Sequence, residues 1–225
     1  MPGGVVALII LGIAVVVALA VLGHLWEKKR REAFAALAAR LGLHFNPGRD
    51  KAIPLRYGFL DALRRGDNRY AFNILSGTYG GLPVLVFDYH YETHSTDSKG
   101  RRQTHHHYFS FFVAEQAREF PELRIYPEGI FSKLGQMLGF DDIDFESLEF
   151  SRAFCVRSRD RKFAYDICHT RMMEYLLAHR DLSIEIERQA VALSFNRRLK
   201  VEEVPRRLQQ LVDIVGLFPQ YLYRG

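Results

Sequence analysis

An uninterrupted apolar stretch near the N-terminus constrains this chain more than any other feature of its sequence. Residues 5–25 contain no Asp, Glu, Lys or Arg, and Trp26 follows directly. A helix of about 20 such residues spans the roughly 30 Å hydrocarbon core of a bilayer, and tryptophan favours the boundary between lipid and water. The sequence therefore predicts a transmembrane helix over residues 5–26, with the lipid bilayer as its partner and a short extracytoplasmic N-terminus at residues 1–4.

Basic residues lie on only one side of this stretch. Residues 1–4 carry no Lys or Arg, whereas the flank at residues 27–32 carries four. The positive-inside rule therefore predicts a single-pass protein of the cell membrane, with its N-terminus outside and residues 33–225 in the cytoplasm. The alternative is a cleavable signal peptide ending near residues 18–20, which the lack of a basic start disfavours. We assign the membrane flank to Trp26, Lys28, Lys29, Arg30 and Arg31.

The overall charge excludes one class of function. The formal net charge of the chain is +5. The flank contributes a net +2 of this, since it holds four basic and two acidic residues. The remaining charge of about +3 over a whole domain is too small for a nucleic-acid interface, so no nucleic-acid partner is expected. Cys155 and Cys168 lack Cys-x-x-Cys spacing, which excludes a disulfide framework and agrees with a reducing cytoplasm.

Past the flank, helical and alternating hydrophobic patterns succeed one another along the chain. Helices are predicted at residues 31–43, 55–63, 130–138, 160–178 and 201–217. Strands are predicted at residues 69–77, 82–91, 104–113, 123–126, 150–156, 182–187 and 190–195, with the last two forming a hairpin. The strands cluster too closely for a doubly wound sheet, so the predicted class is α+β, a mostly antiparallel sheet packed with helices. A subdomain seam is expected near residues 139–145.

A group of histidines surrounds the predicted loop between the second and third strands. His90 and His94 enter the loop, and three consecutive histidines, 105–107, leave it. If the strands pair, His90 and His94 share a face, and either His106 or both of its neighbours join them. We take His90, His94, His105 and His107 as a candidate zinc or iron site. The competing interpretation is a solvated or partner-facing hairpin tip without metal.

Other residues with possible chemistry do not form a recognisable active site, and we predict no catalytic residues. Cys168 and His169 are neighbours, which on a helix point about 100° apart, so they do not form a nucleophile and base. The glycine-rich residues 77–81 lack the Lys-Ser/Thr of a phosphate-binding loop. The acidic residues between 141 and 149 lack the spacing of a calcium-binding loop.

Several short motifs resemble those of a broad group of bacterial single-pass membrane-anchored proteins with a domain of unknown function. An Ala-rich helix ends in Leu-Gly-Leu at residues 41–43, and a strand leads into Phe-Asp-Tyr at residues 87–89. A block of the form Phe-x-x-x-Phe-x-Val-x-Ser follows at residues 150–158. The resemblance covers most of the chain. It implies a membrane anchor and brings no catalytic residue with it.

These observations favour a non-enzymatic, cofactor-free module that binds an unidentified protein at the inner face of the membrane. Aromatic residues of the hairpin are candidate interface anchors, although a sheet core is the favoured explanation of them. They are Tyr89, Tyr91, Tyr108, Phe109, Phe111 and Phe112. A metal-dependent enzyme or metal-binding protein that uses the histidine-rich hairpin is the alternative. A third hypothesis is that the basic flank senses anionic lipids.

Overall fold

The first element is one long helix in the computed structural model, which describes residues 2–128 and 142–224. Helix α1, Pro2–Leu41, comprises 40 residues and is therefore about 60 Å long at 1.5 Å per residue. Its N-terminal part exposes apolar side chains such as Leu11 and Leu19 to the surroundings. Within the described residues, α1 is the one helix that is long and apolar enough to cross a membrane. Residues 2–128 and 142–224 thus contain a single candidate membrane span.

Helix α1 continues through the basic flank, where we expected the span to stop before a separate helix at 31–43. The two predicted helices are one, because Lys, Arg and Glu are good helix formers and a charged flank does not interrupt the backbone. The predicted end is confirmed by the glycine at position 42, whose φ is +68°. The Leu43 N–H donates to the Ala38 carbonyl at 2.9 Å, which closes the last turn.

The domain that follows is built on a six-stranded antiparallel sheet, which confirms the α+β class. Its strands are β1 His44–Asn46, β2 Asp67–Tyr79, β3 Leu82–Thr96, β4 Arg102–Pro127, β5 Phe154–Ser158 and β6 Ser183–Ser194. Strands β1 to β5 neighbour one another in chain order, and β6 also pairs with β4. Strand β3 pairs with β4 without a register shift from Val84 opposite Ala114 to Thr96 opposite Arg102. The predicted strands at 69–77, 82–91 and 104–113 are confirmed within β2, β3 and β4.

Strands β4 and β6 are each longer than predicted. The predicted strands at 104–113 and 123–126 are parts of β4, whose register with β6 shifts between Glu115 and Phe120. The predicted hairpin at 182–187 and 190–195 is wrong, since both halves belong to β6. Arg188 has a φ of +52° at an irregularity in that strand, so the exposed pair Arg188 and Gln189 resembles a turn in sequence only.

The remaining helices are short, except the last. They are α2 Ala52–Arg56, α3 Asp61–Arg64, α4 Leu148–Ala153, α5 Arg161–Ile167, α6 Thr170–Ala178 and α7 Val204–Gly216. The predicted helix at 55–63 is thus replaced by α2 and α3, and that at 160–178 by α5 and α6. The predicted strand at 150–156 begins as α4, because the Ser147 hydroxyl accepts the Phe150 N–H and caps a helix there. The predicted helix at 130–138 and the first part of the predicted seam at 139–145 lie outside the described residues.

Hydrophobic cores lie on both faces of the sheet. One core joins the end of α1, through Phe34 and Leu37, to the apolar sides of α5, α6 and α7. The other joins α2 and α3 to Phe87, Tyr89 and further aromatic residues of β3 and β4. Most aromatic residues proposed above as interface anchors are therefore sheet core. Helix α1 is embedded in the domain by its last three turns, so the candidate span and the domain share one continuous element.

Candidate functional site at the junction of helix and sheet

A buried carboxylate holds α1 against the sheet. Asp88 of β3 is fully buried. It accepts two hydrogen bonds from the Arg30 guanidinium, both at 2.9 Å, and one from Arg198 Nε at 3.2 Å. The Asn73 side-chain amide at 3.0 Å and the Ser110 hydroxyl at 2.9 Å donate to the same group. Such a carboxylate is stable in the interior only because every oxygen is paired with charged or polar donors.

Two further contacts tie the same turn of α1 to the loop before α7. The Arg30 Nη1 donates to the Leu199 carbonyl at 2.8 Å. Arg198 Nη1 donates to Glu27 of α1 at 2.6 Å. Arg30 is therefore not a solvated flank residue, since its side chain is only 16% exposed and its guanidinium forms an ion pair with the buried Asp88. We name Glu27, Arg30, Asp88 and Arg198 the junction cluster.

The other members of the predicted flank remain at the surface. Lys28, Lys29 and Arg31 are exposed, and the Trp26 side chain is 76% exposed. Trp26 lies one residue before the junction cluster. A residue at this point of a membrane helix suits the lipid–water boundary.

A pocket of about 400 Å³ opens beside the junction cluster. On one side of the pocket, the guanidinium carbon of Arg49 lies 4.5 Å from the Tyr70 ring centroid. On another side, the guanidinium carbon of Arg198 lies 5.2 Å from the Phe72 ring centroid. The Phe72 and Tyr108 rings meet edge to face with centroids 6.2 Å apart. We name this cavity the junction pocket, and it is lined by Glu27, Arg31, Pro47, Arg49, Tyr70, Phe72, Tyr108 and Arg198.

Three potential metal ligands converge behind the aromatic wall of this pocket. His90 Nε2 lies 3.1 Å from His106 Nδ1 and 3.9 Å from Glu92 Oε1, and His106 Nδ1 lies 3.4 Å from Glu92 Oε1. The His90 ring is buried between Tyr70 and Tyr108, with centroid distances of 4.5 and 4.8 Å. We name His90, Glu92 and His106 the histidine cluster.

One asparagine orients two members of the histidine cluster. The Asn68 carbonyl lies 3.1 Å from His90 Nδ1 and accepts a hydrogen bond when that nitrogen is protonated, so that Nε2 carries the lone pair that faces His106. The Asn68 side-chain amide donates to Glu92 at 2.6 Å. This hydrogen bond is the main cause of the lowered pKa of Glu92, while burial lowers the pKa of His90. Both shifts favour the protonation states that bind metals, a carboxylate and a neutral imidazole.

The structure does not bring the four sequence-predicted histidines together. Tyr91 pairs with His107 and Thr93 with His105, so those two histidines lie on the face opposite His90 and His94. His105 bonds to Ser95 and His107 to Thr93, each at 2.8 Å. His94 shares the face of His90 but bonds to Thr104 at 3.1 Å. The histidine of 105–107 that lies on the same face as His90 is His106. The turn at residues 97–101 sets the register between β3 and β4, and this register determines on which face of the sheet each histidine lies.

A second buried ion cluster lies on the opposite side of the sheet, and the sequence analysis missed it. Arg124, which is 1% exposed, lies 3.2 Å from Asp61 and 3.5 Å from Glu185, and donates to Glu187 at 2.6 Å. Glu185 accepts the N–H groups of Asp61 and Ala62 at the start of α3. This arrangement fastens α3 to β4 and β6. An arginine in an apolar strand opposite an alternating Glu-x-Glu would have been its only signal.

The two cysteines are not reactive groups. Burial, together with the Asp142 carboxylate, raises the pKa of Cys155 to about 12. Burial also raises the pKa of Cys168. His169 lies beside Cys168 in sequence but its Nε2 is 2.9 Å from the Leu217 carbonyl. Thiolate chemistry at neutral pH is therefore disfavoured at both positions.

Comparison with known proteins supplies a fold and no family. No protein-family model matches the chain, and no curated protein matches it. Among solved structures, the crystal structure of the mycobacterial trehalose monomycolate transport factor A, TtfA, is similar. The fold is similar to that of TtfA. The TM-score is 0.56 at 11% sequence identity, and the match covers 86% of this chain and 96% of that chain.

At this identity the likeness to TtfA concerns architecture alone. Because the match covers most of both chains, the likeness extends well beyond a single motif. The resemblance to membrane-anchored bacterial proteins stays a prediction. Function must therefore be inferred from the junction cluster, the junction pocket and the histidine cluster.

Proposed function

We propose that the chain is a membrane-tethered, non-enzymatic module that binds another protein at the cytoplasmic face of the cell membrane. One observation carries this proposal: the helix that contains the candidate span continues unbroken into the domain and is fastened there by Asp88. A flexible linker would let the domain sample many orientations. A continuous helix instead presents one face of the domain at a fixed height above the bilayer, which suits contact with a partner held in the same membrane.

Two further observations support an accessory role. TtfA, whose fold is similar, is a trehalose monomycolate transport factor, which is compatible with a non-enzymatic, membrane-associated role for this chain. In this chain both thiols are buried and have raised pKa values, so neither is poised as a nucleophile. The orientation, with the N-terminus outside and the domain in the cytoplasm, is part of the proposal and rests on the basic flank.

Site-specific photo-cross-linking in membranes tests this proposal. A photoreactive amino acid at Gln103, in the exposed arm formed by the ends of β3 and β4, should yield one discrete adduct with a membrane protein. Inserting Gly-Gly after Leu25 should abolish the adduct, because two additional helical residues rotate the domain relative to the span by about 200° and move it about 3 Å along the axis. The same insertion after Gly4 is the matched control and should leave the adduct intact. No adduct, or an adduct indifferent to the insertion after Leu25, would contradict the proposal.

The histidine cluster favours a second candidate function, metal binding. Tetrahedral zinc with ligands at 2.0–2.1 Å requires its ligand atoms to be about 3.3 Å apart. Two of the three distances within the cluster, 3.1 and 3.4 Å, are close to this value, and the third, between His90 and Glu92, is longer at 3.9 Å. Asn68 holds His90 and Glu92 from behind, as second-layer partners of metal ligands usually do. His106 is about half exposed, so a fourth position would be open to water or a ligand.

Metal content of the full-length protein, purified without a histidine tag, tests the second candidate. If the cluster binds zinc or iron, elemental analysis should find about one equivalent in the wild type and a strong reduction in H106Q. H107Q is the matched control, because it removes a neighbouring histidine from the opposite face. A metal-free wild type, or equal loss in both variants, would reject the metal site and leave the interaction module unaffected.

A further inference from the structure

The junction pocket contains two arginines that no carboxylate of the described residues neutralises. Among residues 2–128 and 142–224, neither Arg31 nor Arg49 has a carboxylate within 4.0 Å, whereas Arg198 is paired with Glu27 and Asp88. Guanidinium groups bind phosphate and carboxylate oxygens through paired N–H donors. The unpaired charge therefore makes the pocket attractive to an anion.

The walls of the pocket are preorganised. Arg49 rests on the face of Tyr70, which is itself buried, at 4.5 Å from the ring centroid. Phe72 and Tyr108 hold each other edge to face and complete an amphipathic lining. A volume of about 400 Å³ lies in the range of small-molecule sites. A group that combines an anion with an apolar or glycerol-like part would fill this cavity.

The position of the pocket along α1 matches the depth of lipid headgroups if Trp26 lies at the lipid–water boundary. Arg31 is five residues beyond Trp26 on the continuous helix α1, so it lies about 7.5 Å further along the axis at 1.5 Å per residue. The headgroup layer of a bilayer is roughly 5–8 Å thick on each side of the hydrocarbon core. With Trp26 at the boundary, the pocket opens into that layer.

We propose that the junction pocket binds a phosphate ester, with the headgroup of an anionic phospholipid as its source. Arg31 and Arg49 hold the phosphate, and Tyr70, Phe72 and Tyr108 contact the carbon skeleton next to it. This site goes beyond the proposed interaction with a protein partner. It differs from attraction by the basic flank, because Arg49 comes from the loop after β1 and not from α1.

Energy transfer from the single tryptophan of the chain provides the test. The full-length protein is placed in phosphatidylcholine nanodiscs that contain a small fraction of dansyl-labelled phosphatidylglycerol, and transfer from Trp26 to dansyl reports lipid occupancy. Labelled phosphatidylcholine serves as the reference lipid. We expect R49Q to weaken the preference for phosphatidylglycerol about tenfold, as loss of a charge-assisted contact implies. K51Q removes a charge from the same loop but not from the pocket, and it should change the preference less than about twofold.

Two additional arms separate the sources of the phosphate and the role of the flank. In the first arm, glycerol phosphate in solution competes with the labelled lipid. If glycerol phosphate displaces the lipid from the wild type but not from R49Q, and the wild type shows no preference for phosphatidylglycerol, the pocket binds a soluble phosphate ester. K28Q/K29Q removes two flank charges that do not line the pocket. An equal loss of preference in R49Q, K51Q and K28Q/K29Q, or binding of neither lipid nor ester, would overturn the proposal. None of these variants changes the length of α1. The result of the cross-linking experiment is therefore independent of the result of this one.

Discussion

At the scale of single residues, the buried Asp88 should contribute strongly to stability. Removing its charge by D88N leaves the guanidinium groups of Arg30 and Arg198 partly buried beside a neutral amide. Breaking a buried ion pair in this way costs about 3–5 kcal/mol. We expect urea unfolding of the detergent-solubilised full chain to show a loss of this size.

An exposed ion pair provides the control for D88N. Glu149 and Arg180 pair at the surface with 67% and 58% of their side chains exposed. E149Q should therefore change the free energy of unfolding by less than about 1 kcal/mol. Equal effects of D88N and E149Q would show that the junction cluster does not fasten the helix to the sheet.

Glu203, at the start of α7, makes stability depend on acidic pH. Hydrogen bonds from Arg197 are the main cause that lowers its pKa from 4.5 to about 2 in the folded protein. A carboxylate with a depressed pKa stabilises the fold above its unfolded pKa, and this contribution is lost as pH falls through about 2. E203Q should flatten the slope of unfolding free energy between pH 4.5 and 2. Because the pair is partly exposed, the contribution is at most about 1 kcal/mol; an unchanged slope would contradict it.

The face on which the histidines lie shows why the site was only partly predictable at this scale. His90 was identified from sequence, but the choice between His106 and its two neighbours depends on the length of a turn, and one residue more or less reverses the face. The pairing of Arg30 with Asp88 joins residues 58 positions apart, and local sequence contains no trace of it. A charged residue inside the apolar run at 84–89 was the available signal, since a buried carboxylate requires a partner.

At the scale of elements, two glycines with positive φ make different demands. Gly42 has a φ of +68°, and an added Cβ would touch nothing within 4 Å. Gly66 has a φ of +60°, and its added Cβ would lie 2.1 Å from the Glu92 carbonyl oxygen. We expect G42A to cost about 1 kcal/mol for conformation alone. G66A should cost more than about 3 kcal/mol, because strand β3 must move away.

Thermal unfolding of the two glycine variants measures this difference. G66A should also disturb the histidine cluster, since the clash falls on the backbone of Glu92. If G66A proved no more destabilising than G42A, the close approach of the turn to β3 would be contradicted.

Elements with an unbroken pattern were predicted well, and interrupted ones were not. The strands at 82–91 and 104–113 alternate cleanly, and α7 has buried residues such as Leu208 and Leu211 at helical spacing. Strand β4 was predicted as two pieces because its irregularity between Glu115 and Phe120 breaks the alternation. Strand β6 was divided for the same reason at Arg188. Irregularities of this kind bend a strand, and where a sheet bends is determined by tertiary packing. Local sequence therefore does not predict them.

At the scale of the whole molecule, one continuous helix joins the candidate membrane span to the domain. The sequence predicted both parts of α1 but placed an interruption between them at the basic flank. The junction cluster holds the flank against the domain, because two charged residues of the flank, Glu27 and Arg30, are hydrogen-bonded to residues of the domain. We therefore expect the domain to keep a single orientation relative to the span.

A distance measurement between the span and the domain tests this central claim most directly. Nitroxide labels at G23C in the span and K51C in the domain, with both buried cysteines replaced by alanine, allow pulsed electron spin resonance on the full chain in nanodiscs. We expect a single narrow distance distribution that broadens when D88N is added. A broad distribution in the chain with intact Asp88, or one that D88N leaves unchanged, would contradict a rigid junction between helix and sheet.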